Sequence, residues 1–293
     1  MKLDGRRESN NVEDRRSQGA SMGKIGGIGL GGIIIAGLMA WLTGGDPLQA
    51  VLGAAQEQMS GQVIEQGEDG REFTQEEQEL AQFSKQILAG TEDVWTEIFA
   101  ENNLKYECPK MVLYTGATQT GCGYGQAAMG PFYCSGDQTV YIDLSFFSSM
   151  KKQFGSAGDF AYAYVIAHEV GHHVQYLLGT LTQAHNKMNQ VSKTEANQIS
   201  VRLELQADYY AGVWAHHDNK HFQSLEAGDV EEGLEIASRI GDDYLQKKAQ
   251  GYEVPESFNH GRSEWRVRWL KNGIQKGDAG YGNKIFELPY GQF

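Results

Sequence analysis

Positive charge is scarce in this 293-residue sequence: 25 Lys and Arg stand against 38 Asp and Glu, a formal net charge of -13. Binding along nucleic-acid phosphates needs clustered cations, so the sequence excludes nucleic acid as a partner. Cysteine occurs only three times, as Cys108, Cys122 and Cys134, and never with C-x-x-C spacing, which excludes a cysteine-built zinc site. Proline is rare, at 5 residues, and no internal repeat is present. Lys and Arg are missing altogether between Lys24 and Arg71.

Inside that gap lies an uncharged run of 18 residues, Ile25–Leu42 (IGGIGLGGIIIAGLMAWL). A bilayer-spanning helix takes roughly 17–25 apolar residues, so the run is long enough. It has no polar face, as a buried core helix would. The stretch before it is too long and too acidic for a signal peptide, and no Ala-x-Ala cleavage site follows. The run therefore reads as a single transmembrane signal-anchor helix. Lys2, Arg6, Arg7, Arg15, Arg16 and Lys24 precede it, which places the N-terminus in the cytoplasm and the rest of the chain periplasmic or extracellular. Gly27-x-x-x-Gly31 leaves homodimerisation through this helix open.

This divides the chain into five parts. Residues 1–24 read as a mostly disordered, cytoplasmic polar tail, 25–42 as the membrane helix and 43–72 as a Gly/Gln/Glu-rich linker. Residues 73–275 carry a globular pattern, and 276–293 remain unassigned. In the globular part, residues 75–103 read as one or two amphipathic helices. MVLYTG (111–116) and TVYIDLSFF (139–147) read as strands from their β-branched and aromatic content. After Gly158 the pattern is helical over 160–178, 184–216, 230–250 and 261–272. A few strands followed by a run of helices predicts an α+β fold.

The chemistry concentrates in His168-Glu169-Val170-Gly171-His172. Residues four apart share a helix face, so His168 and His172 can present two imidazoles to one ion. Zinc accepts imidazole nitrogen, and a catalytic site keeps one position for water, which Glu169 can reach as general base. Chance matches to H-E-x-x-H in a chain of this length number about 0.02, against a motif with a defined mechanism. The flanking Ala161, Val165 and Ile166 suit a helix buried at a domain centre. A third ligand is needed from a later helix, where Glu204 and Asp208 lie four apart among the small residues Ala207, Ala211 and Gly212. Glu204 completes a His2Glu set, and Asp208 can accept the second ring N–H of a ligand histidine, His168 first. His173 points away from His172 around the helix, and His185, His216, His217 and His221 are read as non-ligands.

His260, at a loop-to-helix junction, is the candidate donor for an oxyanion beside the metal, and Arg266 a buried structural or site-orienting charge. If TVYIDLSFF is a sheet edge, it could pair with an extended peptide. Cys122 and Cys134 bracket a glycine-rich loop and are the favoured disulfide, since bridges persist outside the cytoplasm. Cys108 is left as a free thiol, an alternative partner or an intermolecular link.

Taken together, KLDGRRESNNVEDRR, GPFYC…D…VYIDLSFF, AHEVGHHVQ, ELQADYYAG and HGRSEWR resemble the family of neutral zinc metallopeptidases. The resemblance covers all but the last twenty residues. It implies a bacterial, membrane-anchored, zincin-like domain that binds one Zn2+ and hydrolyses peptide or protein substrates. The Glu-x-x-Ala-Asp segment is also similar to that of the gluzincins, which implies Glu204 as third ligand with Asp208 beside it. Those relatives often carry His-Pro where this chain has His260-Gly261. The alternative expectation is an inactive zincin-fold scaffold at the membrane surface, which would not need Glu169.

Overall fold

The computed structural model describes residues 1–18, 72–154 and 158–293. Its fold is mixed α+β, with a four-stranded sheet set against a group of helices. The sheet comprises β1 (Val12–Asp14), β2 (Lys110–Tyr114), β5 (Phe132–Cys134) and β6 (Thr139–Asp143), in the order β1-β2-β6-β5. β1 and β6 both run parallel to β2, and β5 runs antiparallel to β6. A separate hairpin, β3 (Ala117–Thr120) and β4 (Gly123–Gln126), leads into β5. The helices are α1 (Gln75–Glu101), α2 (Ser145–Phe154), α3 (Asp159–Leu177), α4 (Thr180–Met188), α5 (Lys193–Phe222), α6 (Asp229–Arg239), α7 (Asp242–Gln250), α8 (Ser263–Lys276) and the short α9 (Lys284–Glu287).

The two longest helices start on reciprocal caps. Thr74 and Glu77 at α1, and Ser192 and Glu195 at α5, each exchange side-chain and backbone hydrogen bonds that satisfy otherwise orphaned amides. α3 is buried on every face from Phe160 to Gly171, which makes it the central rod of the domain. It packs against α1, α5, α6 and β5. Its crossing with α5 is set by Gly171: a Cβ there would lie 3.0 Å from both the Cα and the carbonyl oxygen of Ala207. α5 in turn meets α8 through Gly212 and Gly273, whose backbones are too close to admit a side chain between them.

Several expectations are corrected. TVYIDLSFF is not an edge: β6 lies between β2 and β5, and the segment turns into α2 at Ser145. Both faces and both edges of that strand are taken, and all five of its residues are buried. The predicted helix 184–216 is two helices, α4 and α5, and 230–250 is likewise α6 and α7, each pair broken at a turn. Residues 276–293 dock onto the helices: the Arg202 guanidinium donates to the Ile285 and Leu288 carbonyls, and Phe293 is buried against Trp265.

The largest correction concerns the polar start of the chain, which is not a disordered tail over residues 1–18. β1 pairs with β2 in parallel register, Val12 opposite Met111 and Asp14 opposite Leu113. The buried Glu92 carboxylate accepts from Ser9 Oγ (2.5 Å), Asn11 Nδ2 (2.7 Å) and Arg7 Nη2 (2.9 Å). The buried Asp218 accepts from Arg6 Nη2 at 2.7 Å and Ser224 Oγ at 2.6 Å. Charge in this segment is thus matched to buried acids on α1 and α5, which composition alone does not reveal. Among the described residues no helix is long and apolar enough to cross a membrane. The expected membrane helix at 25–42, its Gly27 and Gly31, and the linker up to residue 71 lie outside the described residues.

Candidate metal centre

α3 and α5 cross with the helix faces of His168, His172 and Glu204 turned toward each other, because Gly171 and Ala207 remove the bulk that would hold them apart. His168 Nε2 lies 3.3 Å from Glu204 Oε2, and His172 Nε2 lies 3.5 Å from Glu204 Oε1. Each of the three residues offers one ligand atom, and these atoms lie within 4.8 Å of one another. Around a tetrahedral zinc with ligand bonds near 2.0–2.1 Å, neighbouring donors sit about 3.3 Å apart. The spacing therefore fits a single zinc ion, and two imidazoles with one carboxylate is a donor set that leaves one position open. Among the described residues this is the one cluster of three such side chains able to hold a metal.

The far side of each ring is anchored. His168 Nδ1 lies 2.8 Å from Asp208 Oδ1, and His172 Nδ1 lies 2.9 Å from Gln175 Oε1. With Nδ1 carrying the proton toward these oxygens, both Nε2 lone pairs face Glu204. Asp208, fully buried, also accepts from Tyr164 Oη at 2.6 Å and from Arg266 through Nε (2.8 Å) and Nη2 (2.9 Å). The Gln175 amide donates to the Leu203 carbonyl and to Gln206 Oε1, which fixes which end of the amide faces His172. Glu169 follows His168 on α3, is 8% exposed, and lies near enough to His168 and His172 for their charge to act on it.

The electrostatics follow the packing. Burial opposes charge on His168, but Asp208 and Glu204 outweigh it and raise the imidazole to about 10 in the absence of metal. Burial raises Asp208, yet Arg266 and His168 overcome it and lower the carboxyl to about 2. Glu204 is held well below the usual carboxylate range, against its burial, by His260, His172 and His168. Burial pushes the Glu169 carboxyl up, against the pull of His168 and His172.

The structure brings His168, His172, Glu204 and Asp208 into one cluster with Glu169 beside it, and seats Arg266 on Asp208. His260 stands close enough to lower the Glu204 carboxyl. Its backbone N–H, with those of Asn259 and Gly261, donates to Asp242 Oδ2, and its Nδ1 is 3.3 Å from Asp242 Oδ1. Residue-by-residue reading missed Gln175, Tyr164 and Asp242. The first two had a signal: Gln175 is three residues after His172 and Tyr164 four before His168, on the same helix face. Asp242 had none, because it comes from a different helix. His173, set aside as a ligand, packs away from the metal cluster, with Tyr133 Oη 2.9 Å from its Nδ1 and its Nε2 2.6 Å from the Glu107 carbonyl oxygen. Cys122 and Cys134 form the expected disulfide, which ties the turn of the β3–β4 hairpin to β5, and Cys108 is free and exposed.

Comparison with known proteins adds a family. The profile described as "Putative neutral zinc metallopeptidase" matches residues 1–284. The uncharacterized protein YpfJ of Escherichia coli K12 is 48% identical over 288 residues, covering 97% of this chain and 98% of that protein. The uncharacterized protein Rv2575 of Mycobacterium tuberculosis H37Rv is 42% identical over 183 residues, covering 59% of this chain and 61% of that one. No solved structure gives a significant match.

Proposed function

The chain belongs to the neutral zinc metallopeptidase family, matched over residues 1–284, and from that premise we propose that it hydrolyses peptide bonds in protein or peptide substrates with one zinc ion held by His168, His172 and Glu204. The observation that carries this reading is the spacing of two Nε2 atoms and one carboxylate at 3.3 and 3.5 Å, with Glu169 next in sequence to a ligand. The set is that of a zincin-like peptidase of the gluzincin type.

Zinc, when bound, supplies Lewis acidity that makes a water acidic and polarises a carbonyl. Glu169 takes the water's proton on its carboxylate and returns it to the leaving amine. Burial raises its carboxyl, which moves it toward the range where a base works best at neutral pH. Asp208 and Gln175 keep the two rings in the Nδ1–H tautomer, so that the metal-facing nitrogens stay available. Arg266 keeps Asp208 ionised in a buried setting. His260, aligned by Asp242, is the donor to the oxyanion that forms on the substrate carbonyl. Among the described residues β5 is an outer strand of the sheet, so β5, not the interior β6, is the strand from which a peptide backbone could be gripped. The domain works outside the cytoplasm, where a bridge such as Cys122–Cys134 persists.

The test is cleavage of a protein substrate by the full chain in detergent, before and after zinc removal. Glu169→Gln should keep stoichiometric zinc and lose activity by about 10²–10⁴-fold, the usual contribution of a positioned general base. Unchanged turnover in that variant refutes the mechanism.

A further inference from the structure

β5 is three residues long and, among the described residues, has β6 as its one strand neighbour. So little backbone pairing fixes a strand weakly, and side chains must hold it. Phe132 and Cys134 face the small cluster of Val112, Tyr114 and Tyr141, where Phe132 stacks on Tyr141 with ring centroids 5.1 Å apart. Side chains alternate along a strand, so Tyr133 is the β5 residue that faces the helices. Building on the peptidase reading above, we infer that Tyr133 is a positioning residue: through His173 it fixes β5 against the helix that carries two of the metal ligands, and so sets where an extended peptide paired with β5 lies relative to the metal.

The hydrogen bonds run in one direction. His173 Nε2 lies 2.6 Å from the Glu107 carbonyl oxygen, which can only accept, so Nε2 carries the ring proton. In the neutral ring Nδ1 is then an acceptor, and Tyr133 Oη donates to it at 2.9 Å. The His173 ring is fully buried, so bulk water does not compete for either bond. This chain of three groups joins β5, α3 and the segment that leads into β2. The Cys122–Cys134 bridge, on the residue after Tyr133, ties the same strand to the β3–β4 turn and is a second hold on it.

The hold reaches the metal-bearing helices. His173 follows the ligand His172, and Tyr133 also packs against Tyr176, with ring centroids 6.4 Å apart. His168, His172 and Tyr176 are spaced four apart, so Tyr176 continues the metal-facing side of α3 one turn past His172, about 6 Å along the helix. Tyr133 and Tyr176 pack with Leu181 and Ala184 of α4 and with Leu203 of α5, the residue before Glu204. Tyr133 is thus linked to both helices that bear ligands. A peptide backbone added to β5 would be carried by the strand that this one side chain holds.

The test compares Tyr133→Phe with the parent, both as the full chain. The change removes one hydroxyl and keeps the ring against His173 and Tyr176. On fluorescein-labelled unfolded casein, KM should rise about fivefold, the factor for losing one ordinary hydrogen bond, while kcat and zinc affinity stay within about twofold. Casein anisotropy, measured with Glu169→Gln added to both chains so that the probe is not consumed, should show the same weakening. Arg6→Ala, which loosens the fold at the Asp218 end of α5, should leave casein affinity as in the parent. Unchanged casein binding and KM in Tyr133→Phe overturn the inference. So do a fall in kcat or zinc affinity at unchanged KM, and an equal weakening in Arg6→Ala. Casein that binds the parent without being cleaved refutes the peptidase reading alone, and the difference in affinity still decides the role of Tyr133. A parent chain that neither binds nor cleaves casein overturns both.

Discussion

Asp208 and His168 form the closest link between the metal cluster and the buried interior: Oδ1 of one lies 2.8 Å from Nδ1 of the other, and the same oxygen accepts from Tyr164 and Arg266. Asp208→Asn keeps the shape but removes the charge. His168 then loses a strong acceptor, and Arg266 loses its counter-ion inside the protein. We expect zinc affinity to fall about 10–100-fold, the usual cost of losing an anchor behind a ligand histidine. Stability should fall by about 3–5 kcal/mol, because an uncompensated buried guanidinium remains. Zinc competition with a chromophoric chelator and urea unfolding measure the two effects separately. An unchanged zinc affinity would detach Asp208 from the metal site.

The same pair makes the metal-free protein sensitive to alkali. His168 titrates at about 10 when folded against 6.5 unfolded, so its stabilising charge is fully present below 6.5 and lost as pH rises through 10. Asp208 titrates at about 2 against 3.8, so its contribution is present above 3.8 and lost as pH falls through 2. Glu169, raised by burial, adds to the alkaline fall from its ordinary 4.5 upward. Metal-stripped protein should therefore unfold at lower urea above pH 6.5 than below it. Zinc requires His168 neutral, so the zinc-loaded protein should lose that downward slope. The urea midpoint, followed across this range with and without zinc, checks both statements.

The sequence made the site legible and its supports only in part. His168, Glu169 and His172 lie within one turn of a helix, where spacing alone fixes a shared face. Glu204 and Asp208 repeat that geometry on α5, and the small residues Gly171 and Ala207 hinted at the crossing that brings the two faces together. Distant partners carry no such spacing. Asp242 reaches His260 from the preceding helix, and the edge status of β6 depends on β5 returning beside it. The N-terminal segment misled for a physical reason. A short stretch with many charges and few apolar residues has the composition of a disordered tail, unless buried acids elsewhere are placed to receive those charges. Glu92 and Asp218 do that from helices whose own sequence gives no sign of it.

That segment should be testable as part of the fold. Arg6 places its guanidinium on Asp218 at 2.7 Å and over the Phe222 ring, on a side chain that is itself almost buried. Among the described residues, Arg6→Ala leaves the buried Asp218 carboxylate with only the Ser224 hydroxyl to oppose its desolvation. We expect a loss of about 3 kcal/mol, the lower end for breaking a buried pair, read as a lower urea midpoint. The metal cluster lies elsewhere on α5, so zinc affinity of the folded variant should stay the same. A variant as stable as the parent would mean that the Arg6–Asp218 pair does not help hold residues 1–18 to the domain.

Gly171→Ala sets two effects of opposite sign against each other. Glycine within a helix costs up to about 1 kcal/mol relative to alanine, so on helix propensity alone the change should stabilise α3. The added Cβ, however, would sit 3.0 Å from both Cα and the carbonyl oxygen of Ala207, which are backbone atoms and cannot rotate away. Relief requires α3 and α5 to separate by a few tenths of an ångström. His168 and His172 ride on one of these helices and Glu204 on the other, so the 3.3 and 3.5 Å spacings would widen together. Packing of helix backbones is stiff compared with a propensity gain of that size, and the steric cost should win. We expect a folded protein whose zinc affinity falls about tenfold, comparable to loss of a supporting hydrogen bond behind a ligand. Equal or tighter zinc binding in Gly171→Ala would mean that the helix crossing does not set the spacing of the three ligands.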